Sequence, residues 1–325
     1  MSTEQENQSK SLDPLGFTDI YINFSDLNKS DVYYVGVKNR LPITEEQKPH
    51  VQNLAKEVYK KMKGGAKSFR VKYSNKLYRC TIIESVNGVI ADLRAQPMDM
   101  IPLREIDIPQ IIKQYCTSQR LNAGGLILVV GSPGQGKTTT CAAILLARLQ
   151  RFGGLCLAIE DPAELPLDGI HGDGRCIQIE IESKEDYLEA GRMAMRCYPT
   201  DKPGLMFISE VRDAEGAVLA LRAALDGRLV IATMHADSII SALKRMLSLA
   251  GSIMDEGAAR QLLYNGFRLC LHQERKNREI KSSILIDTPT VAPLIRNGKL
   301  DQIGTEIDHQ EKLIKHHKPI QARGM

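Results

Sequence analysis

Tryptophan is absent from the 325 residues, and six phenylalanines and ten tyrosines make up the rest of the large aromatic set. A protein that tracks single-stranded nucleic acid needs aromatic platforms for base stacking along a basic groove, and so sparse a set argues against that class. Charge argues the same way. With 43 basic and 39 acidic residues the formal net charge is only +4, too weak a field to gather a polyanion by itself. Long apolar runs are missing as well: the longest, around Leu126 to Val130, is strand-sized, far short of the roughly 18 residues that a membrane span requires. The seven cysteines, at 80, 116, 141, 156, 176, 197 and 270, form no CxxC pair, so zinc-ribbon spacing is absent. Their odd number and apolar settings, such as Cys156 within LCLAI, suit small buried hydrophobes in a reducing compartment. The expected location is therefore cytoplasmic. Residues 1–15 begin MSTEQENQSKS, polar and partly acidic rather than a secretory signal, and are expected to form a disordered lead. No internal repeat or low-complexity segment follows.

The expected fold class is α/β, in two domains. Over residues 16–103 the reading is a small α+β domain. Asp19 to Phe24 and Val32 to Val37 are short and rich in aromatic and β-branched residues, as strands are. Between Thr44 and Lys63, Val51, Leu54, Val58 and Met62 recur at helical spacing before Gly64–Gly65. Phe69, Val71 and Tyr73 alternate with polar residues, a turn is expected at Asn75, and Leu77 to Ile83 runs back. Asn87–Gly88 then gives a strong hairpin signal. PLREIDIP, with Pro102 and Pro109 at its ends, suggests a linker over 104–109. From residue 110 to 325 short apolar strands alternate with helices: Leu126–Val130, Leu155–Ile159, Leu205–Ile208, Leu229–Thr233 and Ile284–Ile286. Runs such as LILVV, apolar on both faces, suit a parallel sheet covered by helices. The basic stretch from Lys312 to Arg323 is expected as a solvated helix end or tail.

The chemistry concentrates in the second domain. GSPGQGKT, residues 131–138, fits G-x-x-x-x-G-K-[ST] between an apolar strand and a helix expected over Thr139 to Gln150. Glycines there let backbone N–H groups curl around phosphates, and the helix N-terminus adds partial positive charge. Lys137 would place a cation between the β- and γ-phosphates of ATP, and Thr138 would offer its hydroxyl to Mg²⁺. Gly131, Ser132, Pro133, Gly134, Gln135, Gly136, Lys137, Thr138 and Thr139 are accordingly assigned to nucleotide binding. Hydrolysis also needs carboxylates. Leu155–Ile159 runs into Glu160, Asp161 and Glu164, while Leu205–Ser209 runs into Glu210 and Asp213. In a parallel α/β sheet, ligands gather at the carboxyl ends of strands, so both clusters should face the nucleotide, with Glu210 at the position of a Walker B carboxylate. A third strand, Leu229–Thr233, delivers His235 to the same edge, as a packed residue or a functional one.

Taken in order, the P-loop, IEDPAE, ISEVRD and ATMHADS resemble the type II/type IV secretion ATPase superfamily. The likeness is greatest to PilT-type pilus retraction ATPases and to the DotB/TraJ-type ATPases of type IVB secretion and conjugation. GFTDIYINF resembles that family's opening strand, IEDPAE its Asp box, FISEVRD its Walker B, LVIATMHADS its His box and TPTVAPLIRNGKL its C-terminal helix motif. The resemblance implies a PAS-like N-terminal domain, a RecA-like P-loop ATPase domain, nucleotide held between them, and a homohexameric ring serving inner-membrane components of its machine. It also implies residue roles. Glu164 would place water or Mg²⁺, the latter through a water; Glu210 would be the catalytic base; His235 would sense the γ-phosphate. N-domain arginines would reach the phosphates, matched by Arg94 in DLRAQP and by Arg79 in LYRC, although Phe69-Arg70-Val71 fits the latter pattern equally well.

Departures from the retraction pattern are Ser209 and Val211 around Glu210, Ala236 after the histidine, Pro293 within VAPLIRNG, and a longer CYPTDKPG stretch. None touches the ATPase groups; together they shift weight toward secretion or conjugation. Extension-type ATPases carry a tetracysteine zinc site that is missing here. The expected function is a hexameric Mg-ATP-hydrolysing motor, peripheral to the inner membrane, that works by domain closure. A RecA-like nucleic-acid motor is the alternative, and stimulation of turnover by DNA would distinguish it.

Overall fold

The computed structural model describes residues 17–34, 38–74, 76–97, 99–181, 184–276 and 279–323. The expected lead, residues 35–37 of the strand expected to end at Val37, and the Asn75 turn lie outside the described residues. The chain divides into two units, residues 1–99 and 100–325.

Period-two alternation in the first unit yields six strands: β1 (Asp19–Asn23), β2 (Asp31–Tyr33), β3 (Leu41–Pro42), β4 (Ser68–Tyr73), β5 (Lys76–Ser85) and β6 (Gly88–Gln96). They form one antiparallel sheet in the order β3-β2-β1-β6-β5-β4. Helix α1 (Lys48–Met62), with Pro49 in its first turn, buries Val51, Leu54 and Val58 against Ile20, Ile22, Val71, Tyr78, Cys80 and Leu93. The β5–β6 register pairs Ser85 with Gly88, so the two turn residues are Val86 and Asn87, and Gly88 opens the returning strand. Gly88 has φ +119°, and a Cβ there would strike the Ser25 hydroxyl, so glycine is required on two counts.

In the second unit eight strands form a sheet in the order β14-β13-β7-β12-β11-β8-β10-β9. They are β7 (Gly125–Val130), β8 (Gly154–Glu160), β9 (Gly169–His171), β10 (Gly174–Glu180), β11 (Gly204–Ile208), β12 (Leu229–Met234), β13 (Phe267–Lys276) and β14 (Glu279–Ile286). The six from β13 to β10 run parallel, and the two edge strands are antiparallel. Alternate residues of LILVV serve opposite faces. Leu126, Leu128 and Val130 pack among residues of α5 (Ala214–Leu225), α6 (Ile239–Gly251) and α7 (Glu256–Gly266). Ile127 and Val129 pack among α2 (Gln110–Cys116) and α3 (Lys137–Phe152). Helix α4 (Lys184–Cys197) follows β10, and α8 (Val291–Arg296) and α9 (Ile303–Lys315) follow β14.

Four of the five expected strands run parallel in this sheet; the fifth does not. Ile284–Ile286 is the end of an antiparallel edge strand, and β7 lies between two parallel neighbours, β12 and β13, of which the sequence reading missed β13. The reason is visible in FRLCLHQERK: its outer half is charged and exposed, so the apolar run that marks a buried strand is cut short. Strand β10 (GRCIQIE) was hidden likewise by alternation at the far side of the sheet. Leu103, expected at the end of the first domain, and Ile106 and Ile108, within the stretch expected as a linker, join the cluster beneath α3.

The basic tail is exposed from Lys315 to Pro319, as a solvated helix end should be, and departs from that reading at Arg323. Arg323 donates through Nε to Asp287 Oδ2 at 2.9 Å, bonds the Tyr264 carbonyl, and stacks over the Tyr264 ring at 4.4 Å. Burial pushes the Asp287 carboxyl up to about 6, against the lowering pull of Arg323 and Arg268. A buried carboxylate needs a cationic partner, and Arg323 supplies it. All seven cysteines are free thiols, six of them buried. No helix among the described residues is long and apolar enough to cross a membrane.

Candidate active site

Parallel strands place their carboxyl ends on one edge, and the sheet order decides which residues meet there. Strand β7 leads into the 131–138 loop, its neighbour β12 into His235, β11 into Ser209 and Glu210, and β8 ends at Glu160. The loop itself depends on glycine. Gly131, Gly134 and Gly136 have φ of +149°, +75° and +80°, a region that L side chains rarely adopt. A Cβ on Gly131 would also strike the Gln273 carbonyl oxygen. Gly136 caps α3, so the first N–H groups of a 16-residue helix open toward the loop, a ready anion cradle.

Lys137 is 6% exposed. Its ammonium donates to the Ser132 carbonyl at 2.9 Å and lies 3.2 Å from His235 Nδ1. An ammonium only donates, so Nδ1 accepts and the ring proton sits on Nε2, 3.2 Å from Glu210 Oε1. Lys137, His235 and Glu210 thus form a continuous line across β7, β12 and β11. Burial holds the Lys137 ammonium below its ordinary range, while the negative charges of Glu210 and, more weakly, Glu164 pull it back up. Both carboxylates therefore act on the same cation. Glu210 is half-buried and Glu164 exposed.

The remaining acids of the two clusters have other duties. Asp213 caps α5, accepting from Gly216 N at 2.9 Å. Asp161 pairs with Arg212, tying the loop after β8 to the loop after β11. Glu160 is fully buried and accepts from Gln178 Nε2 at 2.6 Å. Thr138 and Thr139 lie half-buried in the first turn of α3.

Two supports escaped the sequence reading. Gln273 Nε2 donates to the Gln135 carbonyl at 2.6 Å, and Arg275 N donates to the Gln135 side chain, so β13 braces the loop from below. Gln178 holds the segment after β8 through the Leu165 carbonyl and the Leu167 and Asp168 N–H groups. Each is a glutamine near the carboxyl end of an otherwise alternating strand, LHQER and CIQIE, and that polar interruption is the signal that could have found them.

In the first unit, the strand registers align Arg70 with Arg79, Arg79 with Arg94 and Arg94 with Asp19. Directly paired residues of antiparallel strands share a face, so three arginines stand in one row. Arg94 is exposed and donates to Asp19 Oδ1 at 2.6 Å, a contact that raises the guanidinium further above its ordinary range.

Comparison with known proteins accords with this arrangement. Residues 27–286 match the family described as type II/IV secretion system protein. The Escherichia coli (strain K12) protein YggR is 28% identical over 297 residues, 86% of this chain and 87% of that one. The Pseudomonas aeruginosa type IV pilus retraction ATPase PilT is 29% identical over 238 residues, 71% of this chain and 65% of that one. Among solved structures, the pilus retraction motor PilT with bound ADP superposes with a TM-score of 0.74 at 24% identity, covering 95% of this chain and 90% of that one. The Legionella pneumophila ATPase DotB gives 0.66 at 20% identity, covering 96% and 86%. These likenesses bear out the fold expected from sequence, an N-terminal domain before a RecA-like ATPase domain. With the family match running through both units and across every motif of the site, the chain belongs to the type II/IV secretion system protein family and has the build of its ATPases.

Proposed function

We propose that this chain is an Mg²⁺-dependent ATP-hydrolysing motor of a bacterial secretion, conjugation or type IV pilus machine. The observation that carries the reading is the line Lys137–His235–Glu210, which joins a phosphate-binding cation to a candidate base through one imidazole. Lys137 and the 131–139 backbone hold the phosphates. Glu210, half-buried beside His235, takes the proton of the attacking water. His235 reports on the γ-phosphate, because its Nδ1 accepts from the Lys137 ammonium, the cation that phosphate would engage. Thr138 and, through a water, Glu164 are oxygen donors suited to Mg²⁺, whose charge offsets that of the β- and γ-phosphates when bound. In this reading the working unit is a homohexamer docked on inner-membrane components, and hydrolysis drives movement of the N-terminal domain relative to the ATPase domain. Light scattering at micromolar protein with a non-hydrolysable ATP analogue should report about six chain masses; monomer alone would count against the ring.

Arg94 supplies a further cation to the γ-phosphate, with Arg79 or Arg70 beside it. A charge-assisted hydrogen bond is worth about 1.5–3 kcal/mol, so Arg94→Ala should slow turnover by about tenfold or more. ADP affinity should hold, since ADP has no γ-phosphate. Equal losses in both would make Arg94 a general nucleotide contact, and no loss in either would hand the role to Arg79 or Arg70.

A further inference from the structure

The segment between β8 and β9, residues 161–168, carries Glu164, and its backbone is held from the neighbouring strand. We propose that Gln178 is the positioning residue for the Glu164 carboxylate, an inference that rests on the reading of Glu164 given above. Strand β10 runs parallel to β8, with Gln178 opposite Ala158. Its side-chain Nε2 donates to the Leu165 carbonyl at 2.8 Å and to Glu160 Oε1 at 2.6 Å. Its Oε1 accepts from Leu167 N at 3.0 Å and from Asp168 N at 2.9 Å. The backbone N of Gln178 donates to Asp168 Oδ1 at 3.0 Å. Two donors and two acceptor sites are the full capacity of a primary amide, and all four are used, three of them on this one segment.

The arrangement fixes Glu164 from both sides. Ala163 N donates to Glu180 Oε1 at 3.3 Å, two residues further along the same strand. Leu165 and Leu167 are buried at 6% and 0% exposure. With its neighbours tied down and turned inward, Glu164 is left on the exposed side. Glu160 adds direction. An amide reversed end for end would point its oxygen at a carboxylate and its NH₂ at two backbone donors, so the buried Glu160 admits one orientation only. Glu160 orients Gln178, Gln178 sets the segment, and the segment aims Glu164. A shift of about 1 Å in a group that places water or metal costs on the order of 10²-fold in rate, so the clamp acts on turnover without touching nucleotide.

The test is a double-mutant cycle on the full chain, reading turnover, ADP affinity and thermal midpoint for Gln178→Met, Glu164→Gln and the pair. Gln178→Met keeps length and volume but makes none of the four side-chain hydrogen bonds. Turnover should fall about tenfold or more with ADP affinity unchanged, and the pair should be no slower than Glu164→Gln alone, because residues acting through one group are not additive. Losses that multiply in the pair, or a Gln178→Met enzyme with normal turnover, would overturn the clamp while leaving the Glu164 reading intact. Normal turnover in Glu164→Gln overturns that reading, and the clamp's role with it. Should Gln178→Met melt below the assay temperature, Gln178→Asn takes its place in the cycle. It keeps an amide in the pocket, but its shorter arm cannot reach Glu160 and Leu167 N together.

Discussion

Lys137→Ala is expected to all but abolish ATP turnover, with a loss of roughly 10²- to 10³-fold or more. The ammonium is almost fully buried, held by the Ser132 carbonyl and His235, and opposed by the charges of Glu210 and Glu164. Removing one partner of a buried charge arrangement costs about 3–5 kcal/mol, and each 1.4 kcal/mol is about a factor of ten in rate. The substitution also leaves His235 Nδ1 without its donor and removes a positive charge whose field reaches Glu210. The measurement is steady-state phosphate release with saturating Mg-ATP, alongside a thermal midpoint to show that the protein is folded. Residual turnover within tenfold of the parent would remove the phosphate-site assignment.

Glu210→Gln should bind nucleotide as the parent does and hydrolyse it at least about 10²-fold more slowly, the usual consequence of losing a general base. The amide is nearly isosteric and still offers an oxygen to His235 Nε2, so the line from Lys137 through His235 persists while the proton acceptor is gone. Direct titration with ADP and single-turnover hydrolysis of ATP separate the two quantities. A comparable loss in Glu164→Gln is compatible, since both carboxylates act on the same cation. A Glu210→Gln enzyme that turns over normally, beside a Glu164→Gln enzyme that does not, would move the base from the end of β11 to the segment after β8.

Much of the fold could be read from residue order because the cues are local. LILVV, LCLAI, LMFI and LVIAT are apolar on both faces, and only a sheet covered on both sides buries such runs. The P-loop glycines are legible for a similar reason, since the backbone angles they adopt exclude other residues. Strands with one polar side were harder. In β10 and β13 the polar residues that break the pattern are Gln178 and Gln273, both of which hold a loop of the site. A sequence scan that weighs only hydrophobicity discards the residues that matter there.

By itself, the sequence determined the phosphate loop, the two-part α/β organisation and the set of carboxylates, because each depends on residue type within a short span. Which partner each of those acids takes was decided by the tertiary structure. Asp161, Asp213, Glu160, Glu164 and Glu210 are equally acidic on paper, yet one is paired with Arg212, one caps a helix, one is buried against Gln178, and two share the field of Lys137. The deciding variable is strand order. Placing β12 between β7 and β11 brings His235 between Lys137 and Glu210, residues 98 and 25 positions away from it in the chain. Contacts across such separations are fixed by hydrogen-bond register and helix packing, neither of which any local run of residues encodes.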